Sequence, residues 1–216
     1  MIDLHTHTLL SDGALLPAEL IRRAEAIGYE AIAITDHIDV SNYDFVIPRI
    51  VKACQKAAEQ HNKIRVIPGA EITHINPADI PYLVEESRAL GARLIVVHGE
   101  TIVEPVMPGT NRKALESAID ILAHPGLISD EEVRLAKERN IALEVTSRKG
   151  HSLTNGHVAK LAKQHGARLV LNTDAHAPED LLSHEQAQKI ALGAGLSNDD
   201  FTSMLQNSRD LLNRVG

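Results

Sequence analysis

The sequence predicts a single-domain α/β protein, a distorted (β/α)7 TIM-like barrel. Three observations predict it. Short apolar runs alternate with longer segments of helical period along the whole chain. The runs are continuously apolar, as strands buried on both faces of a parallel sheet must be. Finally, 216 residues suffice for one sizeable core but fall short of the roughly 250 that a full eightfold barrel takes. An open doubly wound sheet gives the same alternation and is the structural alternative.

Seven runs read as strands: residues 2–4, 31–35, 64–68, 93–97, 119–123, 141–145 and 168–171. Between and after them, residues 17–27, 46–61, 79–90, 112–117, 130–139, 158–164 and 178–192 read as helices. Their apolar positions recur at three and four residues, as Leu20, Ala24 and Ile27 do in the first. Gly28, Gly91, Asn140 and Gly166 each follow a helical segment where a left-handed cap would end it. Ser129 before Asp130 signals a helix start. Residues 198–215 read as one or two closing helices. No linker, repeat or charge block divides the chain, so residues 1–216 are expected to form one domain.

Composition narrows the function. A net charge of −7 argues against a non-specific nucleic-acid binder, and 2% aromatic residues with no Trp leave almost no stacking platforms for single strands. The core must therefore be built from Leu, Ile, Val and Ala. Cys54 is the single cysteine, so no internal disulfide can form. The chain opens without a basic segment or a signal-length apolar run, and no apolar stretch reaches the roughly 18 residues of a membrane span. A cytoplasmic protein without membrane contact is expected.

The 12 histidines carry the strongest signal. In a parallel barrel, active-site groups project from the carboxyl ends of the strands. His5, His7, His37, His98, His124 and His176 all stand at such ends, where chance would put roughly one. His5 and His7 are two apart on a strand and share a face; Asp174 and His176 repeat that spacing on the last strand. Glu71 ends the third run and suits a bridge between two cations, and Asp12 can reach back over the barrel mouth. These nine groups exceed the ligands one zinc takes, so two to three divalent ions are expected. A mixed imidazole and carboxylate set suits Zn, Mn or Fe better than Mg or Ca. His61, His74, His157, His165 and His184 read as surface or packing residues, and Asp3 and Asp36, which flank ligands, either as groups that orient them or as structural residues.

This ordered set of motifs, His5-x-His7, Asp12-Gly13, Thr35-Asp36-His37, Glu71, His98, Ala123-His124-Pro125 and Asp174-x-His176, resembles that of the PHP (polymerase and histidinol phosphatase) family. The resemblance spans residues 3 to about 178 and is nearest to the histidinol-phosphatase-like subclass. It implies a distorted (β/α)7 barrel holding up to three metals. By that resemblance His5, His7, Glu71 and Asp174 hold the first. Glu71 bridges to a second, completed by His98 and His124, while Asp12, His37 and His176 hold the third. Asp12 stands where the family often carries His. The family's histidinol phosphatases usually carry longer insertions than this chain, so the resemblance does not fix the substrate.

The expected activity is metal-dependent hydrolysis of a phosphate ester in a trinuclear site. Its substrate would be a small anionic phosphorylated molecule such as histidinol phosphate, or a nucleotide phosphodiester. Three divalent ions, less the charges of Asp12, Glu71, Asp174 and a bridging hydroxide, leave about two positive charges to meet a phosphate dianion. The bridging hydroxide is the expected nucleophile, which gives Glu71 a catalytic role. Arg148, in the stretch Ser147-Arg148-Lys149-Gly150-His151, offers a planar fork for phosphate. Lys149 and Arg112 are further substrate-binding candidates, and His151 a phosphate contact or proton donor. Residues 99–111 are long for a connection and read as a lid or a specificity element. Two alternatives compete: an amidohydrolase-like amide or lactone hydrolase, and a non-catalytic metal-binding accessory domain of nucleic-acid metabolism. The first commonly bridges its metals with a modified Lys after the fourth strand, where this chain has His98.

Overall fold

Seven parallel staves close around one axis. A computed structural model describes residues 1–59 and 63–216; His61, expected at the surface, lies outside the described residues. The strands, numbered in chain order, are β1 (Ile2–Asp3), β2 (Ala31–Ile34), β3 (His37–Ile38), β4 (Arg65–Ile72), β5 (Leu94–His98), β6 (Ile121–Ala123), β7 (Ala142–Thr146) and β8 (Leu169–Asn172). They pair in the order β1-β2-β4-β5-β6-β7-β8, with β3 beside β4. The expected count holds for staves, while the strand segments among the described residues number eight. β2 pairs with the first half of β4 and β3 with its end, at His37 and Glu71. The second stave is broken between them at Thr35 and Asp36. There the Asp36 carboxylate accepts from the Thr8 N–H, the Thr8 hydroxyl and the Ser11 hydroxyl at 2.7, 2.8 and 2.7 Å. β4 also runs four residues beyond the sequence expectation: Pro68 has no N–H to give, but its carbonyl still accepts from Arg93 at 2.7 Å.

Closure between the first and last staves is partial, which is the distortion. Thr6 and Ala175 form a single bridge. Beside it, Asp174 N–H donates to the His5 carbonyl at 3.0 Å and His7 N–H to that of Ala175 at 2.8 Å. Below, Leu4 N–H finds the Asn172 side chain at 2.9 Å instead of backbone.

Among the described residues eight helices complete the alternation: α1 (Pro17–Ala26), α2 (Tyr43–Glu59), α3 (Ile80–Ala89), α4 (Thr110–Glu116), α5 (Asp130–Glu138), α6 (Asn155–His165), α7 (His184–Gly193) and α8 (Asn198–Val215). All four predicted stops are left-handed, with φ of 90° at Gly28, 100° at Gly91, 57° at Asn140 and 69° at Gly166. Ser129 and Glu132 form the reciprocal cap that opens α5. The continuous helix expected over 178–192 divides instead. A 3-10 turn at Pro178–Asp180 is closed by the Asp180 carboxylate, which accepts from the N–H groups of His176 and Ala177, and Ser183 then caps α7 afresh. The tail is a single helix, α8. Among the described residues, no helix is long and apolar enough to cross a membrane.

The two-residue alternation of the strands sorts two apolar layers. Ile32, Ile34, Ile95, Val97, Leu143 and Val145 pack outward under the helices. Ala31, Ala33, Ile67, Leu94, Val96 and Val170 join the second layer, which Leu211, Leu212 and Val215 of α8 plug. Each large side chain fully buried this way contributes about 1.5–3 kcal/mol. In phase with that second set, further along each strand, stand Glu71 after Ile67, His98 after Val96, Glu144 after Ala142, and Asn172 and Asp174 after Val170. One strand phase thus carries an apolar half and a polar half.

Candidate metal centre

The polar half lies at the carboxyl ends of the strands. His5 and His7 leave β1, Glu71 ends β4 and His98 ends β5, while His124 and Asp174 follow β6 and β8. His124 and Asp174 hold φ of 27° and 53°, left-handed values that side-chain-bearing residues avoid. At His124 this re-aims a residue that strand alternation would turn outward, since Ala123 before it joins the second apolar layer. Gly99 makes room for the arrangement: a Cβ there would stand 2.4 Å from the Ala123 carbonyl and 2.7 Å from Pro125 Cα.

The donors fall into three overlapping groups. His5 Nε2 lies 3.3 Å from Glu71 Oε1 and 3.7 Å from Asp174 Oδ1. His7 Nε2 lies 3.6 Å from Glu71 Oε2 and 3.2 Å from Asp174 Oδ1. His124 Nε2 is 3.6 Å from both Glu71 Oε1 and Asp174 Oδ2, and its ring sits 4.4 Å from that of His98. Asp12 Oδ1 reaches His37 Nε2 at 3.6 Å and His176 Nε2 at 3.2 Å. Donors held about 2.1 Å from one tetrahedral ion stand roughly 3.4 Å apart, which matches these separations.

Unsatisfied atoms test the fit further. His5 Nε2, both nitrogens of His7, both oxygens of Glu71, His124 Nδ1 and Asp174 Oδ1 are buried without a hydrogen-bond partner. His37 Nδ1 comes within 2.7 Å of Glu71 Oε2, but its aligned partner is the Thr73 hydroxyl, also at 2.7 Å. Leaving so many polar atoms orphaned would cost about 1–3 kcal/mol each. Divalent cations satisfy imidazole nitrogens and carboxylate oxygens together, so the donor set fits them.

Charge is unevenly shared among the donors. Burial opposes a proton on His5, but Glu144, Glu71 and Asp174 outweigh it and raise its pKa well above the ordinary value. His7 is pushed well down by burial and by the positive charge of His37, and His124 by burial and His98. Glu71 is held well below the carboxylate range: His5 and His37 overcome its burial. Burial lifts Asp174 to about 7, against the pull of His5.

The structure brings all nine expected ligands to one rim. Arg148 lines the same cavity of about 400 Å³ and is held by Asp180 at 3.5 Å. His151 also faces it and is buried. Two expectations fail on position. Arg112 does not line the cavity, because its guanidinium is paired with Glu116 along α4 at 2.7 Å. Lys149 is exposed on its loop and does not line the cavity either. His74 was expected at the surface or in packing, yet it lines the cavity, 3.0 Å from Glu104. His157 and His165 do serve packing, bonded to the Ile128 carbonyl and to Asp130, and the His184 ring lies 5.3 Å from that of Phe201.

Sequence reasoning missed Glu144. Its Oε1 accepts from His5 Nδ1 at 2.8 Å and from the Asn172 amide at 2.9 Å; its Oε2 accepts from the His124 N–H at 3.2 Å. One carboxylate thus steadies three staves. The available signal was a lone acid inside the apolar run 141–145. Asp3 and Asp36 are structural ties: Asp3 accepts from Thr173 at 2.6 Å, and its burial lifts it to about 6 against that bond.

A parallel barrel with imidazoles and carboxylates gathered at one rim defines a class of protein equipped to hold divalent cations there. The chain belongs to the PHP domain family, whose profile matches residues 3–173. It is 48% identical over 215 residues to an uncharacterized protein of Methanocaldococcus jannaschii, covering 99% of both chains. A probable phosphatase of Clostridium acetobutylicum is 27% identical over 88% of this chain and 84% of its own length. Among solved structures, a chain in the cryo-EM structure of archaeal ribonuclease P with mature tRNA superposes with a TM-score of 0.75 at 17% identity, over 99% of this chain and 90% of that one. Histidinol phosphate phosphatase of Lactococcus lactis, solved with zinc, L-histidinol and phosphate, gives 0.61 at 18% identity, over 91% and 94%. At those identities both are likenesses of fold.

Proposed function

We propose that this chain, as one PHP-type domain over residues 1–216, hydrolyses phosphate esters with divalent cations held at the barrel rim. The observation that carries the reading is the set of buried, partnerless donors on His5, His7, Glu71, His124 and Asp174. The family membership and the relative named a probable phosphatase support the reaction class. His5, His7, Glu71 and Asp174 would hold a first ion. Glu71 would be shared with a second beside His98 and His124, and Asp12, His37 and His176 would hold a third. Zinc, manganese or iron suits such mixed donors, and zinc is present in the histidinol phosphatase neighbour. When bound, such ions acidify water and draw charge from phosphoryl oxygens.

The chain's own groups do the rest. Carbonyl oxygens can only accept, so the Nδ1 protons of His98 and His176 are donated to the carbonyls of Gly99 and Asp174 at 3.1 and 2.9 Å. That fixes both rings with Nε2 as the free donor atom. Glu144 does the same for His5. Arg148 is the cation available to a phosphate beyond the metals, and Asp180 orients its guanidinium. The cavity volume suits a small phosphomonoester, of which histidinol phosphate is one example, better than a polymer. A reducing, cytoplasmic setting accords with the lone buried Cys54.

The test is a chelated preparation reloaded with zinc, manganese or iron. It is assayed against histidinol phosphate, nucleoside monophosphates and phosphodiesters. Hydrolysis of a phosphate ester that chelation abolishes and metal restores is expected. Turnover that survives complete chelation, or no turnover of any phosphate ester with metal bound, overturns the reading.

A further inference from the structure

The stretch after β5 is built to hold one carboxylate over the rim. Its base is pinched by two side chains. Glu100 Oε1 accepts from the N–H groups of Gly109 and Asn111 at 3.0 and 2.9 Å. Asn111 accepts in turn from Glu100 N–H at 2.9 Å and donates to the Pro125 carbonyl at 2.9 Å. Between these anchors, Glu104 meets three imidazoles at once. Its Oε2 lies 3.1 Å from His98 Nε2 and 3.0 Å from His74 Nε2, and its Oε1 lies 3.2 Å from His151 Nε2. His151 is buried, its Nδ1 is 2.9 Å from the Thr101 hydroxyl of the same stretch, and its ring lies 4.2 Å from that of His124.

Two features say this is more than ion pairing at a surface. First, the Nδ1 proton of His98 goes to the Gly99 carbonyl, so its Nε2 faces the Glu104 oxygen and, whenever the ring is neutral, turns a lone pair towards it. Lone pair against lone pair is unfavourable unless a positive species joins them. Second, ring nitrogens of His98, His124 and His151 lie within 4.8 Å of one another, all on buried residues, with His124 Nδ1 lacking any partner. Neighbouring donors around one ion at about 2.1 Å stand roughly 3.0–3.4 Å apart, as Glu104 does from His98 and His151.

We propose that His151 and Glu104 complete the donor set of the second cation, alongside His98 and His124. The stretch 99–111 delivers Glu104 as its anionic ligand, and His74 positions that carboxylate. His151 is then a ligand, and the expected lid is part of the metal site. Glu104, with its side chain 37% exposed, is the one of these four donors most open to displacement by an incoming anion. The inference rests on reading the rim as a cation centre.

The test uses the full-length chain, stripped of metal and titrated with zinc(II) or cobalt(II) against a chromophoric chelator. Stoichiometry, affinity and the visible spectrum of the cobalt form are recorded. Glu104→Gln and His151→Gln are each expected to weaken one equivalent by at least about tenfold. The remaining equivalents should be unchanged, the cobalt bands shifted and the circular dichroism unaltered. His74→Gln should weaken the same equivalent by less. Wild-type titrations in both Glu104→Gln and His151→Gln would overturn the proposal while leaving the cation centre standing. Should His151→Gln fail to fold, Glu104→Gln, on its partly exposed loop, decides alone. A wild-type chain that takes up neither metal would remove centre and proposal together.

Discussion

The two halves of the barrel spend the same strand phase differently. Towards the amino ends, Ala31, Ala33, Leu94, Val96 and Val170 pack with Leu211, Leu212 and Val215 of α8, side chains with no polar atom to satisfy. Towards the carboxyl ends, the phase carries Glu71, His98, Glu144 and Asp174, left-handed φ values occur at His124 and Asp174, and unsatisfied donors collect. Stability therefore resides in the apolar half, and the polar half is held in an unfavourable state by it. The comparison teaches where substitutions should cost folding and where they should cost chemistry.

Glu71→Gln gives the largest expected effect. Turnover should fall by about 10³ or more, equivalent to about 4 kcal/mol of lost transition-state stabilisation. The metal-free protein should also melt lower, because His5 and His37 lose the carboxylate that offsets their buried charge. An unchanged turnover number would remove Glu71 from the centre. Leu211→Ala tests the other half: a loss of about 2–4 kcal/mol in denaturant unfolding is expected, with the turnover number of the folded protein unchanged. If turnover fell with it, the halves would not be separable in function.

Glu144→Gln probes the boundary between them. Losing the carboxylate that orients His5 should weaken metal binding by about 10–100-fold, read by chelator competition. Asp12→Ala should act less severely, removing one equivalent and leaving the others. Its side chain is 57% exposed, whereas those of His5 and Glu71 are fully buried, so water can replace much of what it gives. The smallest effect is at the start of α8, the plug. Asp200 is held down to about 2 by Lys163 and by the N–H and hydroxyl of Ser197. A depressed carboxylate contributes stability above its unfolded pKa, near 4, and loses it as the pH falls towards 2. Solvent screens this surface pair, so Asp200→Asn should cost only about 0.5–1 kcal/mol at neutral pH. The difference from wild type should shrink in unfolding curves between pH 4 and 2.

Much of the centre was legible because a parallel barrel ties position along a strand to position in space. An imidazole or acid just past an apolar run must arrive at the common rim. That is why His5, His7, Glu71, His98, His124 and Asp174 could be read without coordinates. Glu144 was not legible as part of the centre, since an acid within a strand looks the same whether it faces solvent or three buried neighbours. Glu104 was hidden in a stretch without periodicity, where only the anchors Glu100 and Asn111 fix its place. Arg112 misled because a basic residue near a long loop carries no information about its partner, which proved to be Glu116 one turn on.

The amino-acid sequence by itself determined the alternation of strands and helices, the four left-handed helix stops and the stave that each donor would leave. Those features follow from local periodicity and backbone sterics, which act over a few residues. Only the tertiary structure decided the break in the second stave at Asp36, the link from Glu144 to His5, and the meeting of Glu104 with three imidazoles. These depend on groups 28, 139 and up to 47 positions apart in the chain (Asp36 from Thr8, Glu144 from His5, Glu104 from His151). Contacts of that range are set by barrel closure and leave no periodic trace in the sequence.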